Sequence, residues 1–220
     1  MEQPVHLQQK EYPDGRRGQI EFGGWTTMAT RKRRSTAENR PVPLGTVIKT
    51  LGHGTRSVVE LLAILQAEGV KHVVDVRSIP RSRHNPQFNS DTLSAALAAI
   101  GIGYMHMPSL GGLRHPHKDS PNDAWRNASF RGFADYMQTP AFDKALEDLQ
   151  CLHQETSVVL LYAETVPWHC HRSLIADALS VRSVAVEHIS QAGHRRAHRM
   201  TPWARVKEGH VPYPLEKTSQ

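Results

Sequence analysis

The chain has 220 residues, enough for one ordinary domain with short appendages, and its 27 Lys and Arg against 21 Asp and Glu give a formal charge of +6. No apolar run approaches the roughly 18 residues of a membrane span, the charged N-terminus resembles no secretory signal, and two cysteines are too few for a disulfide scaffold. We therefore expect a cytoplasmic protein that does not enter a membrane.

The positive charge is concentrated at the two ends of the chain. Residues 1–45 and 186–220 each carry a net charge of +3, whereas residues 46–185 are neutral. Residues 1–45 have no hydrophobic periodicity and contain a run of four basic residues, which predicts a disordered basic arm. We expect a single domain over 46–205 and a polar C-terminal tail over 206–220.

Strand and helix patterns alternate through the central region. Apolar runs predict five strands, over 46–51, 70–76, 102–107, 157–163 and 184–189. Helical spacing of apolar residues predicts five helices, over 56–68, 90–100, 130–138, 141–154 and 172–180. This alternation is typical of a mostly parallel sheet with helices on both faces, so we predict a three-layer α/β sandwich and leave its strand order open. Ligands of such folds bind beyond the carboxyl ends of the strands.

A short glycine-containing turn follows the first predicted strand. Gly52-His53-Gly54-Thr55 would allow a tight turn and a close approach to a ligand, and backbone amides that open a helix suit an anion. His53 is therefore a candidate ligand-binding residue. The alternative is a simple turn with a histidine on the surface.

The loop after the second strand is rich in arginine. Asp75 and Arg77 lie on one face of the strand at its end, and Arg81 and Arg83 follow. Arginine side chains suit phosphate or carboxylate groups, which makes Arg77 and Arg81 candidates for holding an anion and Asp75 a candidate for catalysis. The alternative is an ion pair between Asp75 and an arginine that fixes the loop, and such a pair would also position the other arginines.

Two further polar side chains share a face at the end of the third strand. Tyr104 and His106 are separated by the two-residue period of a strand, and both are candidates for contacting a ligand.

The segment after the fourth strand has the most unusual composition. Glu164 follows a strongly apolar strand and is a candidate general acid or base. Cys170 lies beside His171 and Arg172 near a helix start, an environment that lowers the pKa of a thiol. We take Cys170 and His171 as candidate catalytic residues, and Trp168 and Arg172 as candidates for ligand binding. Structural packing of Trp168 and Cys170 is the alternative.

Metal binding is a separate possibility for the same histidines. Consecutive residues such as Cys170 and His171 cannot all face one metal ion, so any site would need His53 or His106 from another loop. No metal ligand set and no cofactor is predicted.

Several of these stretches recur together in a known family. They occupy residues 50–56, 74–83, 85–89, 104–112, 130–137, 163–177 and 188–189. With these stretches in the same order over residues 47–205 or so, the chain resembles the bacterial and archaeal family named domain of unknown function four-eight-eight. The family often has a cysteine where this chain has Tyr162, so a centre built on two cysteines is not expected here. The resemblance implies an α/β domain and brings no established reaction.

Three functions remain open from the sequence. The one we favour is an enzyme for a phosphorylated, nucleotide-like or nucleic-acid substrate, with Arg77 and Arg81 on the anion, Glu164 or Asp75 transferring protons, and Cys170 or His171 completing the site. The alternatives are a non-catalytic nucleic-acid-binding module and a metal-binding protein.

Overall fold

The computed structural model describes residues 47–215, so the predicted basic arm over 1–45 lies outside the described residues. The strands are β1 (Val47–Gly52), β2 (His72–Asp75), β3 (Gly103–His106), β4 (Val158–Tyr162), β5 (Ala185–Gln191) and β6 (His194–Ala197). The α-helices are α1 (Val58–Ala67), α2 (Ser90–Ala98), α3 (Ala128–Tyr136), α4 (Pro140–Glu155) and α5 (Arg172–Val181).

The strands form one sheet in the order β3-β2-β4-β1-β5-β6. The first five strands are parallel, and β6 pairs antiparallel with β5. Strands β3, β2 and β4 are parallel neighbours in this order. The loops that follow them therefore emerge side by side at one edge of the sheet.

The central strand β4 shows why the fold has three layers. All five of its residues are buried, and they alternate between two separate hydrophobic clusters. Leu160 belongs to the cluster that packs against α3, α4 and α5, whereas Leu161 belongs to the cluster that packs against α1 and α2. The predicted three-layer α/β sandwich with a mostly parallel sheet is confirmed.

Local capping interactions set where the helices begin. The Ser57 side chain accepts a hydrogen bond from the Glu60 amide, so α1 starts two residues later than predicted. Thr139 caps α4, and Pro140 fits the first turn, where no amide donor is required.

The C-terminal part of the chain differs most from the prediction. Strand β6 was not predicted, because all four of its residues are exposed and mostly polar. Within the predicted polar tail, Val211 and Tyr213 are buried in the core, and the Tyr213 hydroxyl donates to Asp177 Oδ2 over 2.9 Å. The packed domain therefore continues past residue 205.

None of the helices among residues 47–215 combines the length and the apolar character that crossing a bilayer requires.

Candidate functional site

A cavity of about 530 Å³, the first cavity, opens at the carboxyl edge of the sheet. It is bordered by the loops after β2, β3 and β4 and by the start of α3. The polar residues of its wall include Arg77, Tyr162, Glu164, Cys170 and His171. The sequence therefore pointed to the correct edge of the sheet for a cavity.

Asp75 and Arg77 form a buried ion pair behind this wall. Arg77 Nε lies 2.8 Å from Asp75 Oδ1 and Nη2 lies 2.5 Å from Oδ2, while Nη2 also donates to the Phe88 carbonyl oxygen over 2.8 Å. The Tyr104 hydroxyl donates to Asp75 Oδ2 over 2.8 Å. Burial, assisted by this hydrogen bond, raises the pKa of Tyr104, so its phenol remains a donor. The ion pair fixes the loop and offsets the charge of Arg77.

Two histidines support Arg77 from behind the cavity. His53 Nε2 lies 3.3 Å from Arg77 Nη1, and His106 Nε2 lies 2.8 Å from the Arg77 carbonyl oxygen. Burial lowers the pKa of His53, so its ring is neutral, with Nδ1–H donating to the Gly54 carbonyl oxygen and Nε2 free to accept from the guanidinium. His53, Tyr104 and His106 thus hold Arg77 and Asp75 in place.

The turn at Gly52-His53-Gly54 supports the carboxyl edge of the sheet. The His53 amide donates to the Tyr162 carbonyl oxygen and the Gly54 amide to that of Ala163, both over 2.8 Å. A methyl group at Gly52 would lie 1.8 Å from the Glu164 carbonyl oxygen, so the turn packs directly against the backbone of Glu164. The His53 and Gly54 amides are therefore used within the protein, and anion binding by the amides that open α1 stays a prediction.

Glu164 is exposed on the first cavity, and Arg172 lies buried beneath it. Arg172 is fully buried, its Nη2 donates to the Glu164 carbonyl oxygen, and its guanidinium lies 5.1 Å from the centre of the Tyr162 ring. Among residues 47–215, no carboxylate pairs with Arg172, and its Nε and Nη1 have no hydrogen-bond partner. A positive charge therefore lies close to the cavity without a compensating negative group.

Cys170 and His171 also border the first cavity. Burial raises the pKa of the Cys170 thiol and outweighs the lowering effect of nearby Arg172, so the expected low thiol pKa was wrong. Burial lowers the pKa of His171 to about 4, which leaves the imidazole neutral at pH 7. A methyl group at Gly112 would lie 2.3 Å from His171 Nδ1, so only glycine allows this ring its position.

Comparison with protein families identifies the domain. Residues 57–179, more than half of the chain, match the family described as Domain of unknown function DUF488. The chain belongs to this family. The resemblance noted in the sequence is thereby confirmed, and the family's description carries no reaction or ligand. No curated protein and no solved structure matches the chain.

The DUF488 domain brings four of the sequence-derived candidates to the first cavity, namely Arg77, Glu164, Cys170 and His171. Asp75, His53, Tyr104, His106 and Arg172 lie behind it as supporting residues. Arg81 is exposed and Trp168 borders a different cavity, so neither reaches this site.

Sequence reasoning missed Tyr162 as a wall residue. It is the last residue of the buried strand β4, and its hydroxyl is buried with no hydrogen-bond partner among residues 47–215. A phenol at the end of an otherwise aliphatic strand was the available signal.

The histidines considered for metal binding are not brought together in the DUF488 domain. His53 and His106 bond to Gly54 and Arg77, whereas Cys170 and His171 face the first cavity. Within the described part of the chain, no group of three or more His, Cys, Asp or Glu side chains is placed to hold a metal ion. The geometry therefore lends the metal-binding hypothesis no support.

Proposed function

We propose that the protein is an enzyme that acts on a small anionic substrate, phosphorylated or nucleotide-like, bound in the first cavity. The observation that carries this proposal is the buried guanidinium of Arg172 beside the cavity, which has no carboxylate partner among the described residues. The proposal includes a cytoplasmic location, because both cysteines are unpaired thiols and thiols persist in reducing compartments.

The charges around the first cavity favour an anion over a neutral ligand. A buried charge is costly unless an opposite charge or hydrogen bonds compensate for it. The Asp75 carboxylate compensates for Arg77, whereas Arg172 has a carbonyl oxygen and the Tyr162 ring beside it but no described carboxylate. An anionic group bound in the cavity would lower the energy of this arrangement, and a cation would raise it.

Polar side chains on the wall suit a polar substrate. Arg77, Tyr162 and His171 all border the first cavity. Burial lowers the pKa of His171 to about 4, so at pH 7 its ring is a neutral polar group and not a second cation.

Proton transfer in this proposal belongs to Glu164. Its carboxylate is exposed at the first cavity, whereas the Asp75 carboxylate is buried and bonded to Arg77 and Tyr104. A reaction that needs two carboxylates at the substrate is therefore not proposed. Asp75 acts as a positioning residue for Arg77, and Glu164 as the general acid or base.

Steady-state kinetics of Glu164→Gln tests the proposal. The full-length protein would be assayed against phosphate monoesters, phosphodiesters and nucleosides with their 5′-phosphates. General acid–base catalysis is typically worth about 10²–10⁴-fold, so Glu164→Gln should lower kcat by at least about 100-fold with little change in KM. Glu155→Gln, at an exposed glutamate at the end of α4, is the matched control. No turnover of any of these compounds by the wild type, or equal activity of Glu164→Gln, would refute the proposal.

Non-catalytic nucleic-acid binding is the alternative supported by the basic ends of the chain. Each end carries a net charge of +3, so such binding should weaken steeply as salt increases. Salt-dependent DNA or RNA binding by a full-length protein with no detectable turnover would favour it.

A further inference from the structure

A second cavity, of about 440 Å³, lies beside α5 and the segment that follows β6. Three of the four tryptophans in the sequence border it, namely Trp125, Trp168 and Trp203. Arg196 and Arg199 also border it, and His188 and His198 contribute polar groups. Its volume lies within the range of small-molecule sites in proteins.

We propose that the second cavity binds a nucleotide unit, with the base on the indole rings and the phosphate on Arg196 and Arg199. This site is separate from the first cavity and does not depend on the function proposed there.

Two of the three indole side chains are exposed to solvent and are available to stack on a planar ligand. Trp168 is 60% exposed and Trp203 is 39% exposed, although both are large apolar side chains. Trp125 is held in place because it stacks on Phe130 at 4.8 Å and meets the Trp203 ring edge-on at 5.2 Å. Stacking of a nucleobase on such rings is worth about 1–3 kcal/mol per base.

The charge of the wall selects an anion over a cation. The Arg196 guanidinium lies 5.9 Å from the centre of the Trp168 ring, and among the described residues neither Arg196 nor Arg199 has a carboxylate partner. Within residues 47–215, no acidic residue borders this cavity. Aromatic cages for ammonium groups rely on the negative faces of the rings, and two arginines would oppose a bound cation. Both arginines instead suit a phosphate group.

The histidines of this cavity are committed to an internal hydrogen-bond chain. His198 Nε2 lies 2.8 Å from Asp177 Oδ1, His188 Nε2 lies 3.0 Å from His198 Nδ1, and His188 Nδ1 lies 2.7 Å from the Thr50 hydroxyl oxygen. All four ring nitrogens are therefore used within the protein. Recognition of the ligand's polar groups falls to the arginines.

Binding to the full-length protein would be measured by calorimetry with adenosine 5′-monophosphate, adenosine and inorganic phosphate. We expect the monophosphate to bind more tightly than either of the other two probes. Trp168→Ala and Trp203→Ala should each weaken its binding by at least about fivefold, as the loss of one stacking contact implies. Arg196→Gln and Arg199→Gln should remove most of the preference for the monophosphate over adenosine. Arg83→Gln, at an exposed arginine outside both cavities, should have no effect.

A short adenine oligonucleotide distinguishes the source of the nucleotide unit. If it binds more than tenfold tighter than the monophosphate, the natural ligand is a nucleic-acid strand, and if it binds no tighter, the ligand is a free nucleotide. Either result supports the proposal.

The two cavities can be tested separately. Binding that is lost in Trp203→Ala places the nucleotide in the second cavity, because Trp203 does not border the first cavity. Binding that is unaffected by Trp203→Ala, Arg196→Gln and Arg199→Gln would overturn this inference and leave the first cavity untouched. Failure of all three probes and the oligonucleotide to bind at millimolar concentration, or tighter binding of a tetraalkylammonium ion, would also overturn it.

Discussion

The two cysteines of the chain differ sharply in their surroundings. Cys151 is exposed on α4, whereas Cys170 borders the first cavity and burial raises the pKa of its thiol. Because only the thiolate reacts with an alkylating reagent, burial slows the reaction of Cys170 in two ways: it shields the sulfur and it raises the pKa of the thiol.

We therefore expect iodoacetamide to modify Cys151 at least about tenfold faster than Cys170 at pH 8. Peptide mapping by mass spectrometry over time measures both rates in one sample, and Cys151→Ser confirms the assignment. Faster modification of Cys170 would show an activated thiol and would restore it as a candidate nucleophile.

The Asp75–Arg77 pair dominates the energetics of the loop after β2. Replacing Asp75 with Ala leaves a buried guanidinium without its carboxylate, and losing one partner of such a pair typically costs about 3–5 kcal/mol. Tyr104→Phe removes a single hydrogen bond to the same carboxylate and should cost about 1 kcal/mol. Urea unfolding of both variants measures the difference. Equal losses would mean that Arg77 finds another partner when Asp75 is removed.

At the scale of elements, the contact between the loops after β1 and β4 depends on glycine. A methyl group at Gly52 would clash with the backbone of Glu164 and Thr165, which cannot move as a flexible side chain can. We expect Gly52→Ala to lower the free energy of unfolding by about 1–3 kcal/mol and to shift Glu164, with a loss of any activity found.

Gly69→Ala is the matched comparison for this variant. Gly69 has a left-handed backbone with φ of +64°, and a methyl group added there would meet no atom within 4 Å, so the cost is backbone strain of about 1–2 kcal/mol with no effect on activity. If both variants retained activity equally, the turn at Gly52 would not position Glu164.

The elements best foreseen from sequence are those with a strong apolar signal. Strands β2 and β4 were predicted because each lies in a near-continuous apolar run, as expected for parallel strands covered on both faces. Strands β1, β3 and β5 have weaker apolar patterns, and these were still sufficient to predict them. Strand β6 carries no such signal, since His194 to Ala197 are exposed. Strand order depends on long-range pairing, and no local pattern encodes it.

The candidate site also combines features that follow from local sequence with features that depend on long-range packing. Polar residues just after β2 and β4 do border one cavity, because neighbouring parallel strands end at the same edge. The hydrogen bond between Thr50 and His188 could not be foreseen, since it requires β5 to pair with β1. Likewise, the burial of Arg172 beneath Glu164 depends on how α5 packs.

At the scale of the whole molecule, two histidines link stability to pH. Burial lowers the pKa of His171 to about 4 and that of His188 to about 3, against about 6.5 for histidine in an unfolded chain. Both are therefore neutral in the folded protein at pH 5, where the unfolded chain binds protons. The stabilisation is complete above about pH 6.5 and is lost as the pH falls toward 4.

We expect each histidine to contribute a slope of up to about 1.4 kcal/mol per pH unit below pH 6. Urea unfolding at pH 7.5, 6.0 and 5.0 measures the total slope, and His188→Gln should make it shallower. An unchanged slope in both His188→Gln and His171→Gln would show that other groups control the acid sensitivity of the protein.

The position of β4 in the sheet also determines how long its amide hydrogens persist in heavy water. Its strand is paired on both sides and covered on both faces, so its amides should exchange only when the whole domain opens. Strand β6 lies at the edge and is exposed, so its amides should exchange through small local openings. The strand that carries Tyr162 and leads into Glu164 would then remain fixed for as long as the protein is folded. Arg196, on the edge strand, would adjust many times in the same interval.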